Sequence, residues 1–276
     1  MQLQNRVAIV TGGGRDIGRA IALAFAREGA HLALAARTLS EVEAVAEEVR
    51  SSGRQALAFK ADVSRKRDAE ALVAAAIDRY GRVDILVNNA GEQLPIGPLW
   101  ENDADQWLST VQTNLGGVFL CSRAAIPAMM NQGKGKIVNL SGGGATAPRT
   151  YFTAYAASKA ALVRLTETLG EELKPFNIQV NAVAPGAVYT KMTEQVLAAG
   201  SNAGEKALKE AQRIKEEQRT PDAAAELAVF LASEKSGGLT GRLISAVWDD
   251  WRSLPVRLDE VMGSDLYTLR RVTKRE

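Results

Sequence analysis

Residues 7–18 read Val-Ala-Ile-Val-Thr-Gly-Gly-Gly-Arg-Asp-Ile-Gly, a short apolar strand pattern that runs directly into a glycine-rich turn. An amphipathic helical pattern follows over residues 17–27. A strand, a glycine-rich turn and a helix in this order bring backbone N–H groups and a helix N-terminus to the place where a pyrophosphate binds. The glycines allow positive φ angles and a close approach of the ligand. The stretch therefore predicts a nucleotide-binding fold.

Strand and helix patterns alternate along residues 1–246. They predict a single doubly wound α/β domain of the Rossmann type, with a seven-stranded, mostly parallel sheet and helices on both faces. The predicted strands are 7–10, 32–35, 56–60, 85–88, 136–140, 178–184 and 242–246. The predicted helices are 17–27, 39–51, 65–80, 104–130, 153–173 and 222–232. Within this domain, the charged, helix-forming residues 191–219 predict a helical cover over the substrate, and residues 247–276 an aromatic extension packed on the same domain.

Composition narrows the classes of partner. The 276 residues include 34 basic and 32 acidic side chains, so a net charge of +2 gives no reason to expect nucleic acid. Cys121 is the only cysteine, and we interpret it as a small apolar core residue. No signal peptide and no apolar run of membrane-spanning length is apparent, which predicts a cytoplasmic protein without a membrane partner. No metal site is predicted.

The end of the second predicted strand bears on the choice of cofactor. A Rossmann-type site meets the adenosine ribose there, and an acidic residue would bind its 2′-hydroxyl. This chain has Arg37 instead, with Arg15 in the glycine-rich turn. Two guanidinium groups suit a 2′-phosphate better than a neutral diol, so we expect NADP(H) rather than NAD(H).

Tyr155 precedes Lys159 by four residues in an alanine-rich helical stretch. Side chains at this spacing lie on one face of a helix, so the phenol and the ammonium can serve one site. A nearby cation favours phenolate, and such a pair can donate and recover a proton near neutral pH. The spacing predicts the acid/base half of a carbonyl reduction.

From Thr11 to Gly241, the chain resembles the short-chain dehydrogenase/reductase family. Its motifs are similar to the family's T-G-x-x-x-G-x-G loop, the Asp-Val after the third strand, N-N-A-G and P-G-x-x-x-T. The resemblance implies a cofactor site formed by Gly12, Gly14, Arg15, Asp16, Ile17, Gly18, Arg37, Asp62, Val63, Asn89, Ala90, Gly91, Tyr155, Lys159, Pro185, Gly186 and Thr190.

Asp16 stands where the family has its middle glycine. A carboxylate is favoured at the start of a helix by the helix dipole, but it repels a pyrophosphate. We therefore expect the Asp16 side chain to turn away from the pyrophosphate. Weakened cofactor binding is the alternative.

The resemblance also implies catalytic roles. Tyr155 donates the proton to the carbonyl oxygen, Lys159 binds the nicotinamide ribose and lowers the pKa of the tyrosine, and Asn114 holds a water in the proton relay. The family's serine, thirteen residues before the tyrosine, is Gly142 here. Ser141, one residue earlier, is the candidate replacement, and it is equally well interpreted as a turn residue. Water or Thr146 could serve instead.

The resulting hypothesis is reversible hydride transfer between NADP(H) and a small-molecule carbonyl or secondary alcohol. Asp16 and Gly142 favour a second hypothesis, a nucleotide-binding regulator or interaction protein that has lost catalysis. An epimerase or dehydratase of activated sugars usually belongs to a longer chain. The resemblance further implies a homo-oligomer, a tetramer or dimer joined through the helices predicted at 104–130 and 153–173.

Overall fold

The structure is a computed structural model that describes residues 1–272. Seven parallel strands form one sheet in the order β3-β2-β1-β4-β5-β6-β7. The strands are β1 (Val7–Thr11), β2 (His31–Ala36), β3 (Ala56–Lys60), β4 (Ile85–Asn88), β5 (Gly135–Leu140), β6 (Ile178–Ala184) and β7 (Arg242–Ser245). The predicted fold class is confirmed. The last residues of the predicted extension, 273–276, lie outside the described part.

Helices cover both faces of the sheet. They are α1 (Asp16–Arg27), α2 (Leu39–Ser51), α3 (Lys66–Tyr80), α4 (Ala104–Val111), α5 (Gly117–Asn131), α6 (Thr153–Glu172), α7 (Lys191–Ala199), α8 (Glu205–Glu217), α9 (Asp222–Ala232) and α10 (Leu258–Met262). Alternate residues of β1 enter opposite cores: Ala8 and Val10 pack with α1, α2 and α9, whereas Ile9 packs with α3 and α5. This burial on both faces explains why the strands read as continuous apolar runs.

The helix predicted over 104–130 is interrupted. A π-helical turn, Gln112–Gly116, separates α4 from α5, and the N–H of Gly117 bonds to the carbonyl of Gln112. Gly116 lets the Gln112 side chain fold back, because a Cβ there would lie 2.8 Å from its amide atoms. The turn contains the buried Asn114. Single π turns inside α-helices often mark functional sites, so this irregularity is informative.

The segment 191–219 contains α7 and α8, joined by a 3-10 turn at Gly200–Ala203.

Beyond β7, Trp251 is buried against Phe230 of α9, with ring centroids 5.4 Å apart, whereas Trp248 is 83% exposed. Within the described residues, no helix combines the length and the apolar character needed to cross a membrane.

The sheet order places the candidate site. β1 lies between β2 and β4, so the chain reverses its direction of winding at this point. In open parallel sheets, ligands bind in the crevice that this reversal leaves at the carboxyl ends of the strands. The glycine-rich turn, the end of β2 and the N-N-A-G segment all meet there.

Candidate active site

The glycine-rich turn is held against the segment after β4. The side-chain amide nitrogen of Asn89 donates to the carbonyls of Thr11 and Gly12, each at 3.0 Å. The Thr11 hydroxyl accepts from the backbone N–H groups of Asn89 and Ala90. At Gly18, a Cβ would lie 2.0 Å from the Gly12 carbonyl oxygen. Only glycine therefore fits at that position, and the turn is fixed in shape.

The start of α1 has no side-chain cap. Helix N-termini leave backbone N–H groups without partners inside the helix, and these groups with the helix dipole attract anions. Asp16, the first residue of α1, has a φ of 49°. That left-handed conformation favours glycine, which explains the family's preference at this position.

The Asp16 carboxylate reaches across to α7. It accepts a hydrogen bond of 3.3 Å from the Lys191 N–H at the start of α7, and it lies 3.7 Å from the Arg15 guanidinium. Burial raises the pKa of this carboxyl, while the Lys191 N–H and Arg15 oppose the shift. The side chain thus joins the glycine-rich turn to α7, next to Thr190.

Both arginines predicted to receive a 2′-phosphate are paired with carboxylates. Arg15 contacts Glu41 at 3.1 Å, and Arg37 contacts Glu92 at 2.5 Å. Both arginine side chains are more than two-fifths exposed. Exposed ion pairs contribute little free energy, so a phosphate can replace the carboxylate as the partner of either arginine.

The remaining predicted cofactor residues lie along the same crevice. Asp62 accepts hydrogen bonds from the N–H and hydroxyl of Ser64, and Val63 is buried against α5. Pro185 and Gly186 follow β6. Thr190 caps α7 reciprocally with Thr193.

Tyr155 and Lys159 project from one face of α6, as their spacing predicts. The Lys159 ammonium nitrogen lies 5.7 Å from the centroid of the Tyr155 ring and donates to the Leu140 carbonyl at 2.6 Å. The two side chains are 7% and 4% exposed, so both groups are nearly removed from solvent. Helices α7 and α8 contribute to this burial, because their residues Val196 and Ala211 pack in the same cluster as Tyr155.

Burial dominates the protonation of this pair. Desolvation raises the pKa of Tyr155, and the cation that opposes the shift is Arg149 rather than Lys159. Desolvation lowers the pKa of Lys159 to about 8. A lysine with this pKa still carries its positive charge at neutral pH, and the phenol keeps its proton.

Asn114 ties the π turn to α6. Its side chain exchanges hydrogen bonds of 2.7 and 2.8 Å with the backbone of Glu92, and it donates to the Ser158 hydroxyl at 2.9 Å. Ser158 in turn donates to the Tyr155 carbonyl. Both amide hydrogens of Asn114 are therefore used within the protein, and one lone pair of its oxygen has no partner within residues 1–272 and can accept from a water.

Gly142 stands where the family has a serine, and the position of the Tyr155 hydroxyl accounts for the glycine. A Cβ at position 142 would lie 2.1 Å from the Tyr155 hydroxyl oxygen, so the phenol occupies the space of the family's serine side chain. Ser141 is 3% exposed, and its hydroxyl has no partner among the described residues. A buried hydroxyl without a partner is unusual and is available to a ligand.

Three residues outside the predicted set belong to this site. Glu92 holds Asn114 and pairs with Arg37, Ser158 connects Asn114 to α6, and Arg149 contacts the Tyr155 ring. Glu92 directly follows the N-N-A-G motif and Ser158 directly precedes Lys159, so proximity to a motif was the available signal. The sequence also offers Arg149 as a contact for an anionic substrate group or, equally, as a plain surface charge, and its place beside the Tyr155 ring depends on the loop conformation.

These residues fit a nicotinamide dinucleotide. Gly91 leaves open a point 3.1 Å from the Asn114 amide oxygen and 3.6 Å from the Lys159 ammonium, where any side chain would intrude. The uncapped start of α1 suits a pyrophosphate. Gly91 would thus border the bound dinucleotide, with the Lys159 ammonium close to it.

Comparison with known proteins identifies the family. A family model described as short chain dehydrogenase matches residues 6–200. An uncharacterized oxidoreductase of Mycobacterium tuberculosis is 36% identical over 252 residues, covering 88% of this chain and 91% of the relative.

Two solved structures also match closely, each with a TM-score of 0.81. An NAD+-bound xylitol dehydrogenase is 28% identical and aligns with 89% of this chain and 98% of its own. A variant actinorhodin polyketide ketoreductase with NADPH is 35% identical and aligns with 87% of this chain and 95% of its own. By sequence and by fold, this chain belongs to the short-chain dehydrogenase/reductase family of oxidoreductases.

Proposed function

We propose that the protein is an NADP(H)-dependent oxidoreductase that reversibly converts the carbonyl of a small organic substrate into a secondary alcohol. The observation that carries this proposal is the buried Tyr155–Lys159 pair at the carboxyl edge of a nucleotide-binding sheet. The bound nicotinamide supplies or accepts the hydride. The protein's own residues must then orient the substrate, exclude water and move one proton.

Tyr155 is the proton donor for carbonyl reduction and the acceptor for alcohol oxidation. Its raised pKa keeps the phenol protonated at neutral pH, as reduction requires. Lys159, which keeps its charge at neutral pH, binds the nicotinamide ribose, and its ammonium nitrogen lies 5.7 Å from the centroid of the Tyr155 ring. The free lone pair on Asn114 holds a water from which the proton is replaced.

The test of this function is NADPH oxidation with a panel of ketones, compared between the wild type and Tyr155→Phe. Turnover that depends on Tyr155 supports the proposal.

The Asp16 bridge to Lys191 favours a nucleotide-binding regulator as a second candidate, since its carboxylate joins two sides of the cofactor crevice. NADPH binding without any Tyr155-dependent turnover supports the regulator instead.

The preference for NADP(H) rests on Arg37 and Arg15. Among the solved relatives, one is bound to NAD+ and another to NADPH, so the family alone does not decide between them. We expect Arg37→Ser to raise KM for NADPH by about 10- to 100-fold, the range for losing one charge-assisted contact, and to leave KM for NADH nearly unchanged. Steady-state kinetics with both cofactors measures this. Equal effects on the two cofactors contradict the preference.

Ser141 is the proposed hydroxyl that orients the carbonyl. Because its oxygen is buried without a partner, Ser141→Ala should leave the melting temperature unchanged or slightly raised. Loss of an oxyanion donor should lower kcat by about 10²–10³-fold. Thermal unfolding and kcat are measured on the same preparation, with Thr146→Ala as the control for the other hydroxyl. An unchanged kcat for Ser141→Ala assigns this residue to the turn alone.

We also infer a homo-oligomer, dimer or tetramer. Exposed apolar side chains on α4 and α5 support this inference: Leu108 is 60% and Phe119 52% exposed. Such side chains on neighbouring helices suit a subunit interface. The cytoplasmic location stays a prediction from the sequence.

A further inference from the structure

Arg149 lies beside the catalytic tyrosine, on the loop between β5 and α6. Its guanidinium carbon is 3.9 Å from the centroid of the Phe152 ring and 5.2 Å from that of the Tyr155 ring. Phe152 is fully buried, and Tyr155 is nearly so. The cation therefore lies against two aromatic rings of the apolar cluster that contains Tyr155.

The loop holds Arg149 in place. Gly144 has a φ of 99°, and a Cβ there would lie 2.9 Å from the Cβ of Ala156 and 3.2 Å from that of Arg149. The loop thus folds tightly onto α6 at this glycine. Two residues after Arg149, the Tyr151 carbonyl accepts a hydrogen bond of 2.9 Å from the Gly97 N–H. A guanidinium on such a loop is already ordered before a ligand arrives, which favours binding.

Nothing in residues 1–272 neutralises this half-buried guanidinium by an ion pair, unlike those of Arg15 and Arg37. Burial lowers the pKa of Arg149, and the charges of Tyr155 and of Glu210 on α8 oppose this shift. A partly desolvated cation without a counter-ion is unfavourable. An anion that binds here gains a charge-assisted contact and removes this imbalance.

We propose that Arg149 binds a carboxylate of the substrate, so that the protein acts on short oxo acids and the corresponding hydroxy acids. This inference rests on the proposed function, and it names the substrate class. A guanidinium binds a carboxylate through two parallel hydrogen bonds. The proximity of Arg149 to the Tyr155 ring places the carboxylate within a few bonds of the carbonyl. One cation beside Glu210 suits a single negative charge better than a doubly charged phosphate.

The test uses matched pairs that differ only in charge: 2-, 3- and 4-oxo acids and their methyl esters. For the wild type, we expect kcat/KM to favour at least one acid over its ester by about 10- to 100-fold. Arg149→Gln should bring this ratio close to one, chiefly through KM, and Arg149→Lys should restore part of it. Arg67→Gln is the matched control, because Arg67 is an exposed arginine on α3, and it should keep the wild-type ratio.

Where neither the acid nor its ester reacts, their affinities are compared instead. Calorimetry measures the binding of each compound to the protein saturated with NADP+. Preference for an acid that disappears in Arg149→Gln supports the proposal. It is overturned if no acid is preferred in turnover or binding, or if Arg149→Gln shifts the pH profile while the ratio stays unchanged. Tyr155-dependent reduction of the esters would show that the proposed function stands although this inference fails.

Discussion

Replacing Tyr155 with phenylalanine is expected to lower kcat for ketone reduction by about 10²–10⁴-fold, the usual contribution of a positioned general acid. The change removes one hydroxyl and keeps the ring that packs against α7 and α8. Steady-state NADPH oxidation measures the effect. The fold should be retained, because phenylalanine fills the same apolar cluster as the tyrosine ring.

The control for this variant is nucleotide affinity. Lys159 and the glycine-rich turn are unchanged in Tyr155→Phe, so the Kd for NADPH, measured by fluorescence titration, should stay within a few-fold of the wild type. A matched variant, Tyr151→Phe, removes a phenol four residues earlier on the adjoining loop and should keep most of the activity. Activity of Tyr155→Phe close to the wild type would remove the tyrosine from the mechanism.

The fold could be predicted from the sequence because the inner strands β1, β4 and β5 are buried on both faces and the strands appear as short apolar runs. The bounds of β3, β4 and β6, and of α2 and α9, agree with the predicted ranges. The π turn between α4 and α5 was not predicted, because its sequence, Gln112 to Gly116, remains compatible with an ordinary helix. What distinguishes it is the hydrogen-bond network of Asn114, which joins segments far apart in the chain.

In the candidate site, only the residues that belong to sequence motifs could be predicted. The spacing of Tyr155 and Lys159 predicts that their side chains lie on one face of a helix, and in the structure they do. The carboxylates beside Arg15 and Arg37, and the guanidinium beside Tyr155, depend on how separate loops fold onto the crevice. Side-chain partners of this kind follow from tertiary structure and leave no periodic signal.

Gly142 provides the most specific steric prediction. A methyl group at this position would lie 2.1 Å from the Tyr155 hydroxyl oxygen, whereas one at Gly143 would meet nothing within 4 Å. Neither glycine has a positive φ, so alanine is compatible with the backbone at both positions. Gly142→Ala should therefore displace the phenol and lower kcat by about 10²-fold, the effect of a misplacement of about 1 Å. Gly143→Ala should behave as the wild type.

A double-mutant cycle identifies the clash as the cause. Gly142→Ala should reduce the free energy of unfolding by about 1–3 kcal/mol, as overpacking in a buried cluster does. In the Tyr155→Phe background, the atom at 2.1 Å is gone and the nearest ring carbon lies at 3.1 Å, so the same substitution should be less destabilising. Residues in direct contact show such coupling, and separated ones do not. Chemical denaturation of the four proteins measures it. Additive losses would mean that the tyrosine hydroxyl does not occupy the space beside Gly142.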